Sequence, residues 1–133
     1  MPSKSVLVFL LIFLVIATFV VAYPWRSDVK RERFNTYPEL QHSGLIERGW
    51  VPEFVPVTSE NIVVEYNQDT NRTYLTFNLK SHDARVLITQ LKNVGWKTSE
   101  KSTSTTEVRN TEYAVTVDRE KGSVTVLSKP GGF

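Results

Sequence analysis

A chain of 133 residues, with 41% hydrophobic and 23% charged residues, is typical of one globular domain preceded by a targeting segment rather than of a disordered protein. Because the sequence contains no cysteine, disulfides, thiolate metal sites, cysteine nucleophiles and a cysteine-linked lipid anchor are all excluded. The formal net charge of +2 is too small to imply a nucleic-acid partner, and none is expected.

The first feature along the chain is a hydrophobic N-terminal segment, residues 1–25. An unbroken apolar run extends from Val6 to Ala22, with Thr18 as its only polar member. Its length exceeds the roughly 7 to 15 residues of a secretory signal and just reaches the roughly 17 to 25 residues of a spanning helix, which slightly favours a retained helix. We therefore expect residues 6–22 to contact a membrane, in one of two ways.

The flanking residues leave both alternatives open. Tyr23 and Trp25 are aromatic residues of the kind that lie at the headgroup level, which favours a retained single-pass signal-anchor or transmembrane helix. Val20 and Ala22 are small residues at the positions that a signal peptidase reads, which favours cleavage before Tyr23. The retained anchor is the first choice, and a cleaved, secreted or periplasmic protein is the second.

A charged stretch, residues 26–35, is predicted to be a juxtamembrane tether. By the positive-inside rule its basic residues Arg26, Lys30, Arg31 and Arg33 would keep the domain cytoplasmic. The very short N-terminus, the candidate cleavage site and a domain rich in Thr, Ser and Asn favour export instead. We expect the soluble domain to be extracytoplasmic.

Residues 36–129 are predicted to form a single domain that begins with a helix. Thr36 is a suitable N-cap, Glu39 follows at the spacing of a capping box, and Pro38 suits the first turn. Gly49 is a natural helix end, so the predicted helix spans residues 38–48.

The middle of the domain predicts a hairpin and a second helix. Ile62, Val64 and Tyr66 alternate with Val63 and Glu65, and the run 73–79 alternates through Leu75, Phe77 and Leu79. The Asn-rich loop 67–71 between these runs indicates an antiparallel hairpin. Ser81 is then a suitable N-cap for a helix that covers the sheet and ends at Gly95. Its apolar stripe consists of Ala84, Leu87, Ile88 and Leu91.

The C-terminal part predicts a second hairpin. The polar stretch 97–106 is either a solvated loop or an edge strand, whereas residues 113–117 and 124–126 alternate around a turn at 119–122. Residues 130–133 are predicted to be a tail. The resulting fold class is α+β, an antiparallel sheet of about 4 to 5 strands with two hairpins, covered on one face by one or two helices.

The segment between the first helix and the first hairpin is a candidate contact surface. Its two prolines exclude both a helix interior and a central strand, so the chain must cross the domain in an extended or irregular path. Its aromatic residues could pin this crossing to the core or meet a partner. The candidate protein-contact residues are Trp50, Pro52, Phe54 and Pro56.

A Gly-Trp-x-Pro segment before a predicted strand, and a loop with Asp-Thr-Asn after that strand, stand out between residues 44 and 79. They comprise Gly49–Pro52, Pro56, Ile62, Asn67–Asn71 and Tyr74–Phe77. On these residues the chain resembles a group of small bacterial envelope proteins that are membrane-anchored or lipidated. The resemblance implies an anchor followed by a small α+β domain. It assigns no activity, and the missing cysteine leaves only the anchored or secreted version.

No cofactor, metal or catalytic residue is predicted. Asn67, Asp69 and Asn71 have the spacing that opens a calcium loop, but Arg72 stands where that motif requires glycine, so a hairpin loop is the better interpretation. His82 beside Asp83 would form a base with its orienting acid only if a nucleophile lay within hydrogen-bond reach.

We therefore expect a non-enzymatic, membrane-tethered module of the cell envelope that binds another, unknown envelope protein or has a structural role. The expected contact surfaces are the segment 50–56, any uncovered face of the sheet, or the polar stretch 97–107. The alternative is a small hydrolase or ligand-binding domain that uses His82 and Asp83.

Overall fold

The computed structural model describes residues 2–22 and 29–128. Three helices and seven strands occur in these residues. In chain order they are α1 (Lys4–Ala22), β1 (Val29–Thr36), α2 (Tyr37–His42), β2 (Glu60–Asn67), β3 (Arg72–Asn78), α3 (Ser81–Asn93), β4 (Lys97–Glu100), β5 (Thr105–Arg109), β6 (Tyr113–Asp118) and β7 (Ser123–Ser128).

All seven strands form one antiparallel sheet in the order β1-β2-β3-β7-β6-β5-β4. The two predicted hairpins are confirmed as β2–β3 and β6–β7, and β3 pairs with β7 to join them at the centre. The predicted number of about 4 to 5 strands is wrong. Besides the four strands of the two hairpins, the sheet contains three further strands of mostly polar sequence.

The first added strand is β1, which pairs with β2 along its whole length. Residues 29–35 were expected to be a tether, but they form most of this edge strand, and residues 26–28 lie outside the described part. Charges on an edge strand deter pairing with other chains, and Arg31 forms a 3.2 Å ion pair with Glu65 across the sheet. The charged pattern therefore marks an edge and not a linker.

The other two added strands, β4 and β5, form a hairpin at the opposite edge. Of the two alternatives for residues 97–106, a solvated loop or an edge strand, the structure has the edge strand, since β4 is a short, exposed edge strand there. Residues 130–133, the predicted tail, lie outside the described residues.

The first helix of the domain is shorter than expected. α2 ends at His42 instead of continuing to residue 48, because the Ser43 hydroxyl bonds the Leu40 carbonyl and Gly44 has a φ of 78°. Glu39 does reach back, but its carboxylate accepts a 2.9 Å hydrogen bond from the Asn35 amide, and Thr36 makes no side-chain cap bond.

The core lies on one face of the sheet, where α2 and α3 cover it. The predicted stripe of α3 is confirmed as buried, and Gly95 follows the helix with a φ of 92°. The core residues of the inner strands lie at alternate positions. The fully buried ones are Ile62, Val64, Leu75, Phe77, Val108, Val115, Val117 and Val124. The opposite face of the sheet is uncovered in the described part of the chain.

The N-terminal helix α1 is apolar, and its side chains from residues 4 to 20 are exposed. Within residues 2–22 and 29–128, no helix is long and apolar enough to cross a membrane. The sequence predicts a transmembrane or signal helix at this position; the transmembrane alternative is wrong, and the signal helix stays a prediction.

Candidate functional site

The predicted crossing segment runs over the helix-covered face, and its four candidate residues differ in environment. Trp50 is half-buried, with its ring centroid 4.8 Å from that of Tyr66 on β2. Pro52 is buried, Phe54 is half-buried, and Pro56 is partly buried and accepts a 2.7 Å hydrogen bond from the Ser59 hydroxyl. Trp50 therefore packs on the sheet, whereas Phe54 contacts a second group of aromatic residues.

That second group consists of Trp96 and Tyr113. The Phe54 centroid lies 5.2 Å from Trp96 and 5.5 Å from Tyr113, and its ring is nearly perpendicular to both, at 83°. The planes of Trp96 and Tyr113 are within 7° of parallel, with centroids 6.5 Å apart. These are favourable distances and angles for aromatic pairs, so the three rings hold one another in place.

Local structure fixes each ring. The Trp96 amide donates a 3.1 Å bond to the Leu91 carbonyl where α3 ends, which fixes the backbone of Trp96 directly after the last turn of that helix. Asn110 Oδ1 accepts bonds of 2.7 Å from the Tyr113 amide and 2.8 Å from the Glu112 amide, which fixes the turn before β6. Tyr113 then lies on the same face as Val115, the face that carries the core.

The rings form one side of a concavity of about 470 Å³, the size of a small binding site. We call it the acidic aromatic pocket, because three glutamates surround the rings. It is lined by Ile46, Glu47, Gly49, Val51, Pro52, Glu53, Phe54, Trp96, Asn110, Glu112 and Tyr113.

The charged side chains that line this pocket are all acidic. Glu47, Glu53 and Glu112 are exposed, and in the described part of the chain none of them forms an ion pair. The lining contains no lysine, arginine or histidine among the described residues, although the whole chain has a net charge of +2. Burial raises the pKa of Tyr113, and the charge of Glu112 raises it further, so the phenol stays neutral at physiological pH.

A second concave surface of about 610 Å³ lies on the uncovered face of the sheet. Its exposed apolar side chains are Val29, Tyr74 and Leu127. Although it is larger, its lining includes Val29 and Ser128, which are next in sequence to residues outside the described part of the chain. The acidic aromatic pocket combines three rings with three carboxylates in one concavity and is the stronger candidate.

The residues of the alternative, His82 and Asp83, do not share a site. His82 is exposed, and the structure gives its side chain no hydrogen bond or ion pair within residues 2–22 and 29–128. Asp83 lines a separate concavity of about 340 Å³ that does not include His82.

The Asn-rich loop is the hairpin turn that the sequence favours over a calcium site. Asn67 Oδ1 accepts bonds of 2.9 Å from the Asp69 amide and 3.1 Å from the Thr70 amide, and Asn71 has a φ of 53°. Among the described residues, no group of three or more acidic or histidine side chains could hold a metal ion.

Comparison with known families gives one match. Residues 28–78 match the family model of the YbbD head domain, so this part of the chain, from β1 to β3, is similar to that domain. The match overlaps the stretch 44–79 and supports a resemblance to a known bacterial domain family there, but it does not show the Gly-Trp-x-Pro segment as its signature. Searches of curated proteins and of solved structures return no match.

The acidic aromatic pocket lies where the matched part meets the rest of the domain. Phe54, Glu47 and Glu53 belong to the matched residues, whereas Trp96 and Tyr113 come from beyond them. The sequence pattern points to Phe54 as a contact residue but not to Trp96 or Tyr113. The sequence gives only weak signals for these two residues. Trp96 directly follows the glycine that ends a helix, and Tyr113 stands at the start of a strand.

Proposed function

We propose that this protein is a non-enzymatic, extracytoplasmic module that binds another protein of the bacterial cell envelope through the acidic aromatic pocket. One observation supports the choice of site. Three rings that stay half-exposed lie beside three carboxylates without an ion pair among the described residues, and all six line one concavity.

Half-exposed aromatic rings that pack against one another are typical of protein–protein contact surfaces. Phe54, Trp96 and Tyr113 are held rigidly by one another, so a partner would bury their remaining surface with little loss of side-chain entropy. Aromatic anchors at the centre of an interface carry much of its binding energy, while a polar rim excludes water. The pocket has this arrangement, with the glutamates as the rim.

The N-terminal segment supports the proposed location outside the cytoplasm. An apolar helix with exposed side chains in α1, as the described residues show, suits a signal segment that engages the export machinery. Similarity to the YbbD head domain supports an envelope protein as well. C-terminal fusions to a reporter active only outside the cytoplasm and to one active only inside should give signal from the first. Signal from the second alone would contradict export.

The binding proposal is tested by photo-crosslinking in the native host cell. A photoreactive residue at Thr111, which is exposed at the border between the acidic aromatic pocket and a neighbouring concavity lined by Lys97 and Arg109, should give one defined protein adduct. The matched control is the same residue at Tyr74, on the uncovered face, which should not give that adduct. Absence of any adduct from Thr111, or the same adducts from both positions, would overturn the proposal.

A further inference from the structure

We propose that the group which enters the acidic aromatic pocket is the guanidinium of an arginine carried by the partner protein. This inference rests on the proposed function and names the chemistry of its partner. The observation that carries it is the combination of three half-exposed aromatic rings and three carboxylates without an ion pair among the described residues, in one concavity of about 470 Å³.

The rings select a cation. The face of an aromatic ring is electrostatically negative, and a cation within about 6 Å of the ring centroid is attracted to it, most strongly by tryptophan. The centroids of Phe54, Trp96 and Tyr113 lie within 6.5 Å of one another. One cation at the mouth of the cluster can therefore lie within reach of more than one ring.

The carboxylates select a cation that donates hydrogen bonds. Arginine presents five N–H donors in a planar fork, which matches carboxylates and stacks on aromatic faces at the same time. A quaternary ammonium has no N–H group and leaves the carboxylates without a donor. The compact lysine ammonium is strongly hydrated and does not stack.

The pocket also rejects the opposite charge. Glu47, Glu53 and Glu112 have no basic neighbour in the described lining, so an acidic side chain entering there would meet uncompensated repulsion. Exposed glutamates beside a partly apolar surface cost little in the free protein because water solvates them. The arrangement thus favours a basic partner without destabilising the unbound domain.

Three small compounds test the inference directly on the full chain in detergent micelles. They are N-acetylarginine methylamide, its neutral isostere N-acetylcitrulline methylamide, and choline. Binding is followed by the NMR shift of the Trp96 indole N–H, which is assigned with Trp96→Phe. We expect the arginine compound to bind about tenfold more tightly than the citrulline compound, and more tightly than choline.

Two variants with the same change of net charge locate the site. Glu53→Gln with Glu112→Gln removes two pocket carboxylates, whereas Glu60→Gln with Glu120→Gln removes two exposed carboxylates outside the pocket lining. The first pair should weaken binding of the arginine compound at least about threefold, and the second pair should leave it within about 1.5-fold.

The outcomes separate this inference from the proposed function. Equal binding of the arginine and citrulline compounds, tighter binding of choline, or equal effects of the two variant pairs would each overturn the assignment to arginine. If the Thr111 adduct still forms in cells, the protein-binding function stands with a partner group of different chemistry. If the adduct is absent while the arginine compound binds, the pocket chemistry stands and the protein partner is rejected.

Discussion

At the scale of single residues, Tyr66 connects the core to the edge of the sheet. Its ring is almost fully buried under Trp50, and its hydroxyl donates a 2.8 Å hydrogen bond to Glu32 on β1. Burial raises the pKa of Tyr66, and the bond to Glu32 raises it further, while the charge of Arg48 opposes the change. The folded protein therefore holds this phenol protonated at a pH where the unfolded chain does not.

Tyr66→Phe should show this linkage as a pH dependence. At pH 7 we expect a loss of about 1 kcal/mol in the free energy of unfolding, because a half-exposed Glu32 can turn to water. As pH rises through 10.0, the ordinary tyrosine pKa, the unfolded wild-type chain loses the proton first, so wild-type stability falls. The gap between the two proteins should narrow there in urea unfolding. A gap that stays constant from pH 7 to 11 would contradict this account.

Gly122 shows a second residue-scale constraint, a close approach of two turns. It has a φ of 68°, its carbonyl accepts a 2.7 Å bond from the Leu79 amide, and a Cβ at this position would collide with the Leu79 carbonyl. Gly95 has a φ of 92° but open space around it.

Gly122→Ala should therefore cost more than Gly95→Ala. We expect about 2 to 3 kcal/mol of unfolding free energy for the first, from backbone strain plus the collision, and about 1 kcal/mol for the second, from strain alone. Chemical denaturation of both variants measures the difference. Equal losses would show that the turn at Gly122 moves away from Leu79 freely.

At the scale of elements, the sequence was informative wherever apolar residues had a clear period. The hairpins β2–β3 and β6–β7 and the helix α3 were predicted because each buries one face, which imposes a period of 2 or 3.6 on the sequence. The edge strands lack this signal. β1 contains four successive charged residues, 30–33, and is defined by its backbone pairing with β2.

The predicted end of α2 failed for a different reason. Leu45 is completely buried, as expected of a helix face, but it occupies a turn that begins at Gly44. Burial alone does not distinguish a buried turn from a buried helix. The hydroxyl of Ser43, which bonds the Leu40 carbonyl, stabilises the earlier end.

Arg119 is expected to hold the edge hairpin β4–β5 in place. Its guanidinium donates a 2.8 Å bond to the Thr103 carbonyl and lies 3.3 Å from the carboxylate of Glu100 on β4. Arg119→Ala should lose about 1 kcal/mol, since the pair is partly exposed, and should raise amide hydrogen exchange in β4 more than in β2.

The control for this prediction is Arg85→Ala, on the exposed side of α3, whose guanidinium makes no hydrogen bond or ion pair within the described residues. It should leave exchange in β4 unchanged. If Arg119→Ala and Arg85→Ala gave the same exchange pattern, β4 would be held by its pairing with β5 alone.

At the scale of the whole molecule, the pocket is the feature that sequence patterns could not assemble. Phe54, Trp96 and Tyr113 come from separate parts of the chain, in a sheet that the β3–β7 pairing joins at its centre. No local period reports that pairing. The match to the YbbD head domain ends at residue 78 and so includes only one of the three rings.

The central claim, that the acidic aromatic pocket binds a basic envelope protein, is tested most directly by the yield of the Thr111 crosslink in cells. We compare wild type with the two charge-matched variants, Glu53→Gln with Glu112→Gln and Glu60→Gln with Glu120→Gln. The yield should fall at least about threefold in the first and stay at the wild-type level in the second. Equal yields in all three proteins would contradict the claim.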